Sequence, residues 1–199
     1  MTGISQLLDP RWVKTGSELS NCSYGECKHI LWVPEGGEAG DGRGGILEGF
    51  TNLVQADGAQ YQVLEFRADC TCESAMAFAS YAHSRALVAG GSGDELNDTD
   101  AVAARLLDHA FAVGGIQEGA AINGALSDGA TGLLHWTMGG SNPGGTDSLW
   151  GDDNARALLG AMSASALLTN SRWSTEIARS ILGNLRAVGE DGFRPVLAI

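Results

Sequence analysis

Lysine is the scarcest residue type in this chain. Lys14 and Lys28 are its only lysines, and lysine and arginine together number 12 against 24 acidic residues, a formal net charge of −12. A surface of that sign repels phosphate backbones and anionic lipid, because it lacks the basic patch that releases counterions. Nucleic acid is therefore not an expected partner, whereas neutral polyols are fully compatible. No apolar run approaches the length of a bilayer crossing, so no membrane span is expected. Residues 1–10 lack a basic stretch followed by an apolar block, so no secretory leader is read there and a cytoplasmic location is expected.

Several motifs are also missing. There is no phosphate-binding P-loop, no G-x-S-x-G elbow and no H-E-x-x-H pair. His29, His83, His109 and His135 show no metal-ligand spacing, and His83 and His109 are expected on helix surfaces. The Gly91-Ser92-Gly93 pattern lacks the strand and helix context of a dinucleotide site. No cofactor is expected. Cysteine is sparse, occurring as Cys22/Cys27 and Cys70/Cys72. A four-thiolate zinc site with His29 nearby is one reading, but the C-x4-C and C-x-C spacings fit it poorly. Reduced, partly buried thiols are the plainer account, and no metal site is expected. Asn21-Cys22-Ser23 and Asn97-Asp98-Thr99 fit a glycosylation pattern that matters only in a secreted protein.

What is present describes a globular chain. Apolar residues make up 44 % and charged residues 18 %, enough for a sizeable core in a chain of 199 residues. Residues 1–45 read as an irregular segment with turn clusters at Pro34 to Gly37 and Gly40 to Gly42. Residues 46–199 read as the folded domain. Ile46 to Val54 and Tyr61 to Phe66 are short β-type runs around Asp57-Gly58, which predicts a small β-hairpin near residues 46–66.

Helical patterning then takes over. An alanine-rich helix is expected over Thr71 to Ala89, capped by Asp69 or Thr71 and ended by Gly90-Gly91. A second spans Asp98 to Val113 on the stripe Val102, Leu106, Ala110 and Val113. Residues 114–150 are glycine-rich and polar, a length that implies either function or unrecognised structure. A third helix, Asp152 to Leu168, is apolar almost all round and predicts an inner, doubly covered helix. The fourth, Arg172 to Val188, carries Trp173, Ile177, Ile181 and Leu185 on one face. Short connections make helical hairpins, with inner and outer helices in a layered α/α arrangement.

The most informative block is Trp150-Gly151-Asp152-Asp153-Asn154-Ala155-Arg156. An aspartate at a helix start is stabilised by the dipole and satisfies an orphan amide, which explains one of the two acids. The second acid and the preceding tryptophan are not needed for capping. Sugar sites combine an aromatic platform for the C–H face of a pyranose with carboxylates that accept from hydroxyls or act as acid and base. Trp136, Trp150, Asp152 and Asp153 supply both, although Trp136 is equally well read as a core tryptophan. Arg156 is placed to pair with either acid or to hold a substrate carboxylate. A second constellation, Arg67-Ala68-Asp69-Cys70-Thr71-Cys72-Glu73, marks another helix start, where Asp69 and Glu73 also have capping and dipole explanations. Two acidic helix starts make a shared cleft at one end of the helices conceivable.

The segment Trp150 to Gly160 resembles bacterial six-hairpin glycosidase-like proteins, as do Leu47-Glu48-Gly49, Arg67 to Cys70 with Glu73, Asn184-Leu185-Arg186 and Gly192-Phe193-Arg194. The resemblance covers about Gly40 to Arg194. It implies a mainly α fold, an (α/α)6 toroid of antiparallel helical hairpins, and a carbohydrate ligand. Asp153, Asp152 and Asp69 then become the candidate catalytic carboxylates, and Trp150, Trp136, Arg156, Arg67, Glu73 and Glu48 the candidate substrate contacts. A hairpin takes roughly 30 residues, so six exceed this chain, which is read as a partial ring. Exposed apolar helix faces are then expected, with self-association through them. Three activities follow as expectations: glycoside hydrolysis, glycan binding without catalysis, and sugar epimerisation with His135 as base.

Overall fold

The structure, a computed structural model, describes residues 41–54, 60–89, 94–113, 131–134, 137–138 and 150–188. Cys22, Cys27, His29, His135, Trp136 and the Gly192-Phe193-Arg194 triplet lie outside them, as do most of the segments 1–45 and 114–150. The described residues are mostly helical. The elements are β1 (Leu47–Val54), β2 (Gln60–Arg67), α1 (Ala68–Ala89), α2 (Asp94–Asp108) with a π-helical turn over His109–Val113, β3 (Thr137–Met138), α3 (Gly151–Leu167) and α4 (Ser174–Arg186). Among them, no helix is long and apolar enough to cross a membrane.

The strands form one sheet in the order β1-β2-β3. β1 pairs antiparallel with β2, with Leu47 opposite Phe66, and Phe66 and Arg67 of β2 also face Met138 and Thr137 of β3. β2 runs directly into α1 without a connecting residue, so Arg67 ends the strand and Ala68 begins the helix. This corrects the expected cap: Asp69 and Thr71 lie inside α1. Asp69 meets the guanidinium groups of Arg67 and Arg156 there.

α1 packs most extensively against α3 and α2. The shared core contains Ala68, Cys72, Ala75, Phe78 and Ala79 from α1. α2 and its π turn contribute Val102, Ala103, Leu106, Leu107 and Ala110; α3 contributes Ala157, Ala161 and Ala164; Leu134 and Trp173 complete it. Alanine dominates, so the helices approach closely. At Gly160 a Cβ would lie 2.6 Å from the backbone carbonyl carbon and oxygen of Cys72, so α3 crosses α1 with backbones nearly touching.

That crossing overturns the reading of α3 as covered on both sides. Its small residues face α1, while Leu159 is 63 % exposed and Met162 43 %. An apolar pattern all round a helix does not bury it all round when small residues make the contact. α4 departs in the same way. Trp173 is buried and Ile177 is packed against the core, but Leu185 of the expected stripe is exposed, as is Leu182. Ser180 and Gly183 are the buried α4 positions, and Gly183 faces the segment 131–133. Gly132 adopts φ +92° there, and a Cβ on it would meet the Arg179 carbonyl oxygen at 2.2 Å. α4 is tied to α2 by Trp173 Nε1, which donates to Asp108 Oδ1 at 2.9 Å, while the Arg172 guanidinium stacks 4.2 Å over the Trp173 ring.

α2 begins at Asp94, four residues before the expected start, and its continuous helix gives way at His109 to the π turn. His109 is buried rather than at the surface, a second correction: its Nδ1 lies 3.0 Å from the Arg43 carbonyl, which makes it the donor in the neutral tautomer. Burial pushes its pKa below the usual histidine value, against the opposing hydrogen bond to Arg43. His83 is exposed on α1.

Candidate functional site

β2 ends and α1 begins where α3 also begins, so the two acidic constellations, more than 80 residues apart in sequence, meet at one place. The guanidinium of Arg67 forms a two-point bond with Asp69, Nε to Oδ1 at 3.1 Å and Nη2 to Oδ2 at 3.0 Å. The same Nη2 hydrogen-bonds Asp153 Oδ1 across the helix interface. From α3, Arg156 reaches back to α1, donating to Glu73 from Nε at 3.0 Å and from Nη2 at 2.8 Å. Its Nη1 lies 3.2 Å from Asp69 Oδ2 and 3.9 Å from Asp153 Oδ1. Five side chains thus form one cluster, with Asp69 and Asp153 buried inside, Arg67 partly covered, and Arg156 and Glu73 open to solvent.

The pattern of charge sets the protonation. Burial raises the pKa of Asp153 above the usual carboxylate value, and the hydrogen bond and charge of Asp69 push it the same way, while Arg67 opposes them. Arg156 is driven up chiefly by its hydrogen bonds to Glu73, so it stays charged. The thiol of Cys72, one turn from Asp69, is pushed up to about 12 by burial and by the charges of Asp69 and Glu73. It is an inert core thiol. Cys70 is also unbridged, and no group of three or more His, Cys, Asp or Glu among the described residues could hold a metal ion.

Asp152 differs from its neighbour. It sits in the first turn of α3 on the exposed side, and it does not cap the helix, since Trp150 occupies the cap position. Trp150 is 46 % exposed, beside the cluster in sequence, with its carbonyl oxygen accepting from the Asn154 amide at 3.1 Å. The backbone of Glu48 lies in β1, but its side chain falls outside the described residues, as does Trp136.

Asn154 is the residue whose role sequence reasoning missed. It is 2 % exposed, and its side chain accepts from Leu134 N at 2.7 Å and donates to Leu134 O at 3.0 Å. It therefore pairs with the chain at 134 as a strand neighbour would, and a third bond to the Trp150 carbonyl at 3.1 Å ties that segment to the start of α3. An Asn one turn inside a helix, where it is a poor helix former, is the available signal.

The arrangement limits the chemistry. Asp69 Oδ2 and Asp153 Oδ1 both lie on Arg67 Nη2, so the two acids share one guanidinium, whereas a glycosidase pair flanks a scissile bond across a gap of roughly 5 Å or more. Among the described residues, the exposed Asp152 and the partly exposed Glu73 are the other carboxylates in these two helix starts. Both arginines bind carboxylates of the chain itself. The chain matches no known family model, and comparison with the curated proteins and with solved structures returns no match.

Proposed function

We propose that this chain is a carbohydrate-active protein of glycoside hydrolase-like character, acting on a neutral glycan at the common start of α1 and α3. The observation that carries the reading is the convergence of Arg67, Asp69, Glu73, Asp153 and Arg156 at the start of α3, the helix whose cap position the half-exposed Trp150 occupies. Trp150 supplies the apolar platform, Asp152 the solvent-facing carboxylate, and Asp153, with its raised pKa, the proton-bearing acid. A neutral sugar suits the site because Arg156 is spent on Glu73 and Asp69, so it does not serve a substrate carboxylate. Trp136 and Glu48 remain in the proposed contact set. The proposal includes the finer architecture that the resemblance implies, a partial (α/α)6 toroid of antiparallel helical hairpins with a small β-hairpin at residues 46–66. Nucleic acid is not proposed as a partner.

The test is turnover of a panel of aryl glycosides and neutral oligosaccharides by the protein and by Asp153→Asn. The reading expects cleavage that the substitution abolishes; no turnover of any substrate by the folded protein overturns its catalytic part.

A second reading has its own support. The oxygens of Asp69 and Asp153 are already held by guanidinium nitrogens, as in a structural ion cluster. A glycan-binding module without catalysis is then the alternative, with Trp150 and Asp152 carrying the contact. Binding that survives Asp153→Asn and is lost in Trp150→Ala, with no cleavage, distinguishes it.

A further inference from the structure

Among the described residues, the cluster has three carboxylates, Asp69, Glu73 and Asp153, against two guanidiniums, Arg67 and Arg156. It is one positive charge short if every acid ionises. Glu73 is partly open to solvent and is held by two hydrogen bonds from Arg156, so its charge is well accommodated. The deficit falls on Asp69, 1 % exposed, and Asp153, 6 % exposed. One oxygen of each, Asp69 Oδ2 and Asp153 Oδ1, lies on the same two nitrogens, Arg67 Nη2 and Arg156 Nη1. Two buried carboxylates held on the same two nitrogens repel each other when both are ionised, because like charges out of water interact strongly. A single proton between them removes the deficit and converts repulsion into a hydrogen bond.

We propose that Asp69 and Asp153 share one proton, and that this proton is a pH-sensitive clasp fastening the first turn of α3 to the first turn of α1. The charged groups facing the pair among the described residues are Arg67 at the end of β2, Glu73 on α1 through Arg156, and Arg156 on α3; Asp152, next in the chain to Asp153, points to solvent. The buried Cys72 thiol stays neutral. As the pair loses its proton the clasp opens. The first turn of α3 then loosens together with Trp150 and Asp152, while the alanine-packed middle of both helices holds. The inference concerns the fold and is independent of what the cleft binds.

The experiment is amide hydrogen exchange on the full chain from about pH 4 to about pH 8, corrected for intrinsic exchange, beside a carboxyl-carbon NMR titration of the same protein. The clasp predicts that protection over residues 68–73 and 151–156 falls with rising pH, by about tenfold per pH unit once the proton leaves, with residues 75–82 unchanged. It predicts two widely split carboxyl titrations for the pair. Asp153→Asn keeps an uncharged donor for Asp69, so its protection over both first turns should be flat with pH. Protection that does not change with pH in the unsubstituted protein, or two independent titrations in the ordinary carboxylate range, overturns the proposal. The titration decides by itself should Asp153→Asn not fold.

Discussion

Asp69 and Asp153 place one carboxylate oxygen each on the same two guanidinium nitrogens, Arg67 Nη2 and Arg156 Nη1, so the starts of α1 and α3 are joined by a single four-atom arrangement. The two arginines in it are not equivalent. Arg67 is 17 % exposed and Arg156 47 %. Removing Arg67 leaves buried carboxylates without their covering cation, whereas removing Arg156 breaks pairs that water already screens. Arg67→Gln is expected to cost about 3 kcal/mol in urea unfolding, and Arg156→Gln less than about 1 kcal/mol. Equal losses would show that the buried pair does not depend on Arg67.

Asn154 should matter more than its place in a motif suggests. Asn154→Ala leaves the Leu134 amide and carbonyl without the partners they have at 2.7 and 3.0 Å. The expected loss is about 2–4 kcal/mol of unfolding free energy, from stranded buried polar groups. Asn154→Asp should rescue only the bond from Leu134 N, because a carboxylate cannot donate to Leu134 O.

The crossing of α1 and α3 predicts a steric effect. A methyl at position 160 would press on the backbone of Cys72 and on Glu73 N at 2.8 Å, neither of which can rotate away. Gly160→Ala is therefore expected to lower stability by about 1–3 kcal/mol, although alanine is the better helix former. Chemical denaturation measures it. A stabilised variant would mean that the helices do not approach this closely.

Two buried groups should give stability opposite pH slopes. The folded-state pKa of His109 is lowered, so the folded protein binds fewer protons than the unfolded chain. Its contribution is present above about pH 6.5 and is lost as pH falls through that unfolded value towards the lower folded one. Asp153 is raised, so its contribution is complete below its unfolded value of about 3.8 and is lost as pH rises through the folded one. Midpoints of thermal unfolding against pH should therefore lose their acid-side slope in His109→Gln and their slope above the ordinary carboxylate range in Asp153→Asn.

How much of this was legible before the fold was seen depends on what each residue needed to meet. α3 and α4 stand out in the sequence because apolar periodicity and flanking glycine or polar turns are local signals. Which side of α3 is buried was not local: Ala157, Ala161 and Ala164 contact α1 only because Gly160 lets the backbones approach, and bulk alone pointed to Leu159 and Met162. Both acidic helix starts were readable as such, yet the bond between Arg67 and Asp153 spans 86 positions and no spacing rule announces it. His109 was misplaced because what covers it is a segment far off in sequence, where the Arg43 carbonyl meets its Nδ1, and helix periodicity does not announce that partner. Asn154 was hidden since its partner is the backbone of residue 134, and backbone leaves no mark in sequence.

The central claim is that the common start of α1 and α3 receives a neutral glycan on Trp150. It is tested most directly by screening the protein and its Trp150→Ala variant against an array of neutral and acidic glycans, with circular dichroism confirming equal folding. The account predicts binding to neutral glycans that falls about five- to thirtyfold in Trp150→Ala, the loss expected when an aromatic platform worth roughly 1–2 kcal/mol is removed. Absence of binding to every glycan, or binding that Trp150→Ala leaves unchanged, would contradict it.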